Sequence, residues 1–521
     1  MVLPFLFNIL LSLVDGIIFS AAFPDLSLYI LAPITLAVLY FILKKSSIWK
    51  SAIYGFCFGL GFFLVSLSFI NYALNPLGTA LVSIMESLFF ASFGACWSIS
   101  KRFFIVRKNP FINAIAFAAL YTAFEQLRGI LPLGGFPWGS VAYSQSASPI
   151  GKLSYFIGQS GVVIVIVFFS VYLYRLFSFI ITLRPIKTIS CAVLLVIIYF
   201  SGNIFYAFDN LQNENDQNKN SFTFAAVQGN IKYHPSGDTS EADTLAFENH
   251  ITETEKMLET AEYKSKQAQI QAVFWPESSI EFDPLNSANQ KDLSRLYKLV
   301  DRVGKPFIIG GPTFKSENGV KKKFNSVFVI APEKGIVGQY DKQHILPFGE
   351  FIPARDFFAF LDKQHTDLIT DIYPGKNDNV IKLDNANIGV RICFEVADSQ
   401  LIDKSVKNSA NIFFFPSNDS NFGPSSESAQ QLQIAQFRSI ENKRSTIELS
   451  TNGISATIDP LGEIANKTSL YTNAHFIAAL PLNNTIPPHL EIEPWIVGVC
   501  YILSGGLFIL GTIFSFAKKK K

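Results

Sequence analysis

The chain has 521 residues, a formal net charge of +2 and a mean hydropathy of +0.29, with 51 phenylalanines and only 16% charged residues. That length exceeds one compact domain, and that hydropathy is unusual for a soluble protein. The near-balanced charge, with no basic stripe interleaved with aromatics, excludes nucleic acid as a partner.

A membrane span needs about 20 mostly apolar residues. Such runs occur, in order, at roughly 4–23, 26–43, 51–70, 78–99, 111–127, 156–181, 186–207 and 494–516, so about eight transmembrane helices are expected. The fifth run ends on Glu125 and Arg128. Charges at such a place snorkel to the interface, pair with each other or meet a lipid headgroup. Cytoplasmic loops collect lysine and arginine. Lys44, Lys45 and Lys50, then Lys101, Arg102, Arg107 and Lys108, then Arg184 and Lys187, and finally Lys518 to Lys521 all fall on that side if the N-terminus does. Residues from about 209 to 490 are then expected on the opposite face. Gly55, Gly59 and Gly61, and Gly505, Gly506 and Gly511, lie inside spans, where small residues let helices pack closely.

Asn210 to Asn220 is polar and suits a linker. Beyond it, short β-rich runs recur at Phe222–Val227, Ala272–Trp275, Phe307–Gly310, Ser326–Ala331, Ile388–Phe394, Ile412–Pro416, Thr446–Ser450 and Ser455–Ile458. Helical patterns intervene at Thr239–Lys266, Ala288–Val303 and Glu427–Asn442, and strands alternating with helices predict an α/β domain. Lys321-Lys322-Lys323 reads as a solvated turn. The division expected is 1–208 for seven membrane helices, 209–490 for the α/β domain, and 491–521 for a last membrane helix and basic tail.

Cys393 is the only cysteine of the polar half; Cys57, Cys96, Cys191 and Cys500 all sit in apolar runs. Outside the cytoplasm an unpaired cysteine points to an intermolecular disulfide or a working thiol. Functional groups of α/β domains gather at strand ends. Glu277 follows Val273-Phe274-Trp275-Pro276, Lys342 follows Gly338-Gln339-Tyr340-Asp341, and Cys393 ends the Ile388–Ile392 run. A carboxylate to take the thiol proton, an ammonium to stabilise the oxyanion and a thiol to carry the acyl group suit acyl transfer. Alone, each is a weak signal, and a lone Glu or Lys at a strand end is more often a surface charge. The six histidines lack metal-ligand spacing, and no nucleotide-binding motif appears, so neither metal nor cofactor is expected.

With their neighbours these residues resemble the nitrilase, or carbon–nitrogen hydrolase, superfamily. The segments concerned are Trp275-Pro276-Glu277-Ser278, Tyr340-Asp341-Lys342 with Leu346 to Pro353, and Ile392-Cys393-Phe394-Glu395. Glu125-Gln126-Leu127-Arg128-Gly129, Gly135-Phe136-Pro137-Trp138, Val227-Gln228-Gly229-Asn230, Ser417-Asn418-Asp419 and Thr451-Asn452-Gly453 narrow the resemblance to the apolipoprotein N-acyltransferase family. That resemblance implies an αββα sandwich beside the membrane helices, and a bacterial inner-membrane enzyme, monomeric, with its catalytic domain in the periplasm and both termini in the cytoplasm. The phospholipid donor would acylate Cys393, with Glu277 as base, and the diacylglyceryl-cysteine amine of an apolipoprotein would then take the acyl group. Lys342 and the Phe394 N–H would form the oxyanion hole. Glu350 and Glu395 would orient Lys342 or hold the amine, and Glu125, Arg128 and Trp138 are candidate membrane-side substrate contacts. Phe136-Pro137-Trp138 reads as an interfacial anchor or re-entrant turn. The chain departs from the family pattern at Asn421, at Glu427 to Gln431 and at Ile231 to Pro235, positions that could surround a lipid entrance. A tethered amidase using the same triad, and a non-catalytic lipid-binding relative, are the alternatives.

Overall fold

The computed structural model describes residues 2–213, 220–231, 245–317, 319–356, 370–376 and 380–519. Most of the linker, the start of the 239–266 helical pattern, Lys232 to Pro235 and His365 fall outside those residues. The chain forms two compact units, Met1–Asn213 with Pro487–Lys521, and Glu214–Ile486.

The first unit is helical. Six helices are long and apolar enough to cross a membrane, namely Leu3–Ser20, Ile48–Ser66, Pro76–Ser100, Ile150–Ile181, Pro185–Asp209 and His489–Phe516. The second expected span, Leu31–Lys44, has 14 residues; at ~1.5 Å per residue it reaches about 21 Å, short of a ~30 Å hydrocarbon layer. The fifth, Pro110–Arg128, is long enough but is diluted by Asn113, Thr122, Glu125, Gln126 and Arg128. Glycines let the first helices approach backbone to backbone. A Cβ on Gly55 would sit 2.2 Å from the Phe90 carbonyl oxygen, and one on Gly94 2.2 Å from that of Ser51. Gly505 and Gly506 correct the expectation, because nothing lies within 4 Å of a Cβ at either. The Ser154–Ile181 helix breaks at Gly158, whose φ is +67°. Its restart is capped from the last helix, where Glu493 Oε1 accepts from the Ser160 N–H at 2.7 Å.

The second unit is a layered α/β domain of twelve strands: β1 (Ser221–Gln228), β2 (Ala272–Phe274), β3 (Phe307–Glu317), β4 (Val320–Ala331), β5 (Gly335–Asp341), β6 (Val380–Leu383), β7 (Ala386–Val390), β8 (Ile412–Ser417), β9 (Ser445–Ser450), β10 (Ala456–Ile458), β11 (Ile464–Ala465) and β12 (Ala474–Pro481). They form two six-stranded sheets, ordered β12-β1-β2-β3-β4-β5 and β11-β10-β9-β8-β7-β6. In each sheet three central strands run parallel, β1-β2-β3 and β7-β8-β9.

Alternate residues of a strand face opposite ways. Phe222, Phe224, Phe274 and Ile308 therefore meet Ile388, Ile412, Phe414 and Ile447 in one core between the sheets. Their neighbours Ala225, Val227, Val273 and Phe307 face outward onto the Ala246–Glu259 and Gln290–Val303 helices. Ser399–Lys407 packs on β7, and Glu427–Asn442 packs on β9 and β10. Both faces of the central strands are thus covered, which is why they read as unbroken apolar runs.

Lys321 to Lys323 lie in β4, not in a turn, with Lys321 over the Phe314 ring at 4.5 Å. The pattern expected at 239–266 holds two helices, broken at Thr260, whose hydroxyl accepts from the Tyr263 N–H.

His250, on the first of those helices, is fully buried against Trp275, with ring centroids 5.3 Å apart. Its Nδ1 lies 2.7 Å from the Ala246 carbonyl, Nε2 has no partner, and burial pushes its pKa down to about 4. The unfolded chain takes up the proton near pH 6.5 while the folded chain resists it. The stability this site contributes is therefore present above pH 6.5 and lost as pH falls towards 4, by about 3 kcal/mol in all. Amide exchange across Ala246–Glu259 should accelerate over that window in the native chain, and His250→Gln should flatten the dependence.

Candidate active site

β2 ends at Phe274, and the chain continues beside β3, with the Trp275 N–H donating to the Ile308 carbonyl at 2.9 Å. At Gly310 the two segments touch. A Cβ there would lie 2.5 Å from the Pro276 carbonyl oxygen and 2.6 Å from Glu277 Cα, so only glycine admits this path. Glu277 is buried; Asn325 Nδ2 of β4 donates to its Oε1 at 2.6 Å, and the Thr451 hydroxyl donates to its carbonyl.

Lys342 follows β5 and is 2% exposed, with its backbone N–H on the Asn325 carbonyl at 2.8 Å. Asn325 therefore fixes both the carboxylate and the lysine backbone. Lys342 Nζ donates to Glu350 Oε1 at 2.8 Å, and Glu350 Oε2 accepts from the Leu346 N–H at 2.9 Å.

Cys393 lies three residues past the end of β7 and opens a single 3-10 turn, Cys393–Ala397, with a left-handed φ of +52°. Glu395 holds that turn. It accepts from the Ile392 N–H at 2.8 Å, the Tyr340 hydroxyl at 2.6 Å, and the Gln343 and His344 N–H groups at 2.7 and 3.0 Å. One carboxylate thus ties the thiol's elbow to the backbone just after Lys342. Phe394 is buried with its ring edge-on to His344, and His344 Nδ1 lies 2.7 Å from Asp398 Oδ2.

Glu277, Lys342 and Cys393 act on one another electrostatically. Burial, then Glu350, lift the Glu277 carboxyl to about 7 against the pull of Lys342. Burial also pushes the Cys393 thiol well up, Glu277 adds to this, and Lys342 opposes it. Burial works against the Lys342 charge, yet Glu350, Cys393 and Glu277 outweigh it and keep the ammonium protonated. The resting set is a neutral thiol, a fixed cation and a carboxylate able to exchange a proton near neutrality, a value that suits a general base.

The other three candidates lie in the first unit. Arg128 is buried and donates through Nη1 to Glu86 Oε2 at 3.0 Å and to the Phe136 and Trp138 carbonyls at 2.7 and 2.8 Å. The carboxylate that bonds it is Glu86; Glu125 instead accepts from the Ser140 hydroxyl. Trp138 is buried near Phe69, which does not fit an interfacial anchor. Glu125 and Arg128 border a small cleft otherwise lined by Phe89, Phe90, Phe93, Tyr121 and Phe124.

Asn325 and Gly310 gain their importance only from sheet register, whereas Thr451 belongs to the Thr451-Asn452-Gly453 segment that the sequence already marks. All five cysteines are free, and among the described residues no group of three or more His, Cys, Asp or Glu side chains could hold a metal ion.

Residues 15–172 match the family model for the apolipoprotein N-acyltransferase N-terminal domain, and residues 223–487 that for carbon–nitrogen hydrolases. An apolipoprotein N-acyltransferase of Geobacter metallireducens is 26% identical over 475 residues, covering 89% of this chain and 88% of its own. One from Pseudomonas syringae pv. tomato is 26% identical over 516 residues, 97% of each chain. Among solved structures, Saccharomyces cerevisiae Nit3, a member of branch 10 of the nitrilase superfamily, is 17% identical over 54% of this chain and 94% of that one, with a TM-score of 0.36. Six apolar helices together with such relatives make this a membrane protein. The hydrolase match spans half of the sequence, and the chain belongs to the carbon–nitrogen hydrolase family of enzymes, in the acyltransferase form that carries an apolipoprotein N-acyltransferase N-terminal domain.

Proposed function

We propose that this enzyme moves a fatty acyl group from a membrane phospholipid to the N-terminal amine of a diacylglyceryl-cysteine on an apolipoprotein, through a thioester on Cys393. The observation that carries this is the convergence of a partly buried Cys393, a buried Glu277 and a buried ammonium held by Glu350 on one site. Glu277 takes the thiol proton as sulfur adds to the ester carbonyl, and Lys342 stabilises the oxyanion. The ester C–O bond then breaks, and Glu277 returns the proton to the departing lysophospholipid alkoxide. In the second half the amine adds to the thioester and loses its proton to Glu277. The thiolate leaves and is reprotonated. An ester plus an amine gives an amide plus an alcohol without a nucleotide.

The charged bands in the short loops support a bacterial inner-membrane topology with all eight apolar helices crossing, both termini cytoplasmic and residues 209–490 periplasmic. Aromatics ending on Glu125 and Arg128 suit contact with a lipid.

Intact-mass analysis after incubation with phospholipid should show one fatty-acyl adduct on Cys393, released by a diacylglyceryl peptide faster than by water. Release to water first would mean an amidase-like hydrolase. Glu277→Gln should slow adduct formation by about 10²- to 10⁴-fold. In the native chain the rate should fall roughly tenfold per unit of pH below about 7, as the Glu277 base becomes protonated. The glutamine variant should lack that limb.

A further inference from the structure

The helix that packs on the Cys393–Ala397 turn brings with it a second acidic group that the two half-reactions above do not use. Glu427 opens the Glu427–Asn442 helix, Gln431 lies one turn further on the same face, and Glu448 belongs to β9. Gln431 Nε2 donates to Glu448 Oε1 at 2.7 Å. The second oxygen of Glu448, Oε2 of Glu427 and the amide oxygen of Gln431 are all buried without a hydrogen-bond partner among the described residues. Three buried acceptors without donors are costly, each by about 1–3 kcal/mol.

The charges acting on Glu427 are those of Asp419, Glu448 and Glu277, all acidic, and Glu427 in turn acts on Cys393. Burial and this mutual repulsion hold the Glu427 and Glu448 carboxyls well above the usual range. What the arrangement lacks is a cation with several N–H donors. From solvent it is closed, since Glu427 is 3% exposed and Glu448 and Gln431 are 1% exposed. Its helix packs against the Cys393–Ala397 turn, and Cys393 itself is only partly buried, so the thiol's side offers the approach. The departures from the family pattern at Glu427 and Gln431 accordingly lie in the interior and do not rim a surface opening.

We propose that Glu427, Glu448 and Gln431 form the subsite that receives the α-ammonium of the acceptor and sets it beside the Cys393 thioester. An ammonium has three donors for the three orphaned oxygens, and its charge favours the ionised carboxylates; it passes one proton to Glu448 before the free amine adds to the thioester and loses its second proton to Glu277 as above. Glu427 is on this account a positioning residue for the second half-reaction and idle in the first. The inference rests on the acyl-transfer reading above.

The test separates the half-reactions in the full-length chain. Glu427→Gln keeps size and removes charge. Its acyl-enzyme should form within about twofold of the native rate, while the peptide concentration for half-maximal transfer rises tenfold or more. Its melting temperature should equal or exceed the native one, because a strained buried acid has gone. A diacylglyceryl peptide with a dimethylated α-amine keeps its charge but cannot yield a stable amide. It should inhibit native transfer more strongly than its N-acetyl counterpart, and Glu427→Gln should erase that preference. Glu448→Gln should repeat the pattern and serves if the first variant does not fold. Equal slowing of both half-reactions, or a preference that survives in the variants, overturns the subsite alone. Failure of the native chain to form any acyl-enzyme overturns the acyl-transfer reading and the subsite with it.

Discussion

Cys393→Ala is expected to lower acyl transfer by about 10⁴-fold or more and to leave no acyl adduct on the chain, because removing a covalent nucleophile removes the route itself. The variant should still fold. Cys393 holds a φ of +52°, and alanine meets the same backbone restriction as cysteine there. Cys393→Gly should be as inactive yet more stable by about 1 kcal/mol, since left-handed backbone costs glycine little. Intact mass, a single-turnover assay and a thermal melt on the three proteins distinguish these outcomes. An alanine variant that still transfers acyl groups would end the thioester proposal.

Arg128→Met should be the most damaging single change to the helical unit. It leaves Glu86 fully buried without its ion-pair partner and removes the donor shared by the Phe136 and Trp138 carbonyls. Breaking a buried pair from one side costs about 3–5 kcal/mol, whereas replacing both partners by apolar groups costs far less. The melting temperature in detergent should therefore fall steeply for Arg128→Met and recover in large part in Arg128→Met with Glu86→Leu. An unchanged single variant would show that the pair carries no such weight.

What could be read in the sequence follows burial. Ile412–Pro416 nearly matches β8, and Glu427–Asn442 matches its helix at both ends, because each is set by a local pattern. β5, β6, β11 and β12 are not among the expected runs. β5 carries Gly335 and Gly338 and is only half-buried along most of its length, and β12 lies at the edge of its sheet, so neither shows the dense apolar run of a central strand. At the site, Glu277, Lys342 and Cys393 were legible as polar residues closing apolar runs. Asn325 was not, because its reach to Glu277 depends on how β4 lies beside β3. The partner of Arg128 was misread for the same kind of reason. Glu125 is three residues away in sequence, but Glu86, on another helix, makes the bond.

The cap that Glu493 provides at Ser160 bears on how the chain is made. The helix that supplies it emerges only after all of Glu214–Ile486 has been translated. At roughly 5–20 residues per second, that interval lasts some tens of seconds. Throughout it the Ser160 N–H lacks its carboxylate, and Pro110–Arg128 and the 154–181 helix lack the neighbour they pack against. The α/β domain, Glu214–Ile486, is a compact unit in its own right and can complete its sheets first. Released chains ending at Ile486 should thus hold a finished α/β domain and a helical unit open to proteolysis at its 158–160 break, which the last helix closes.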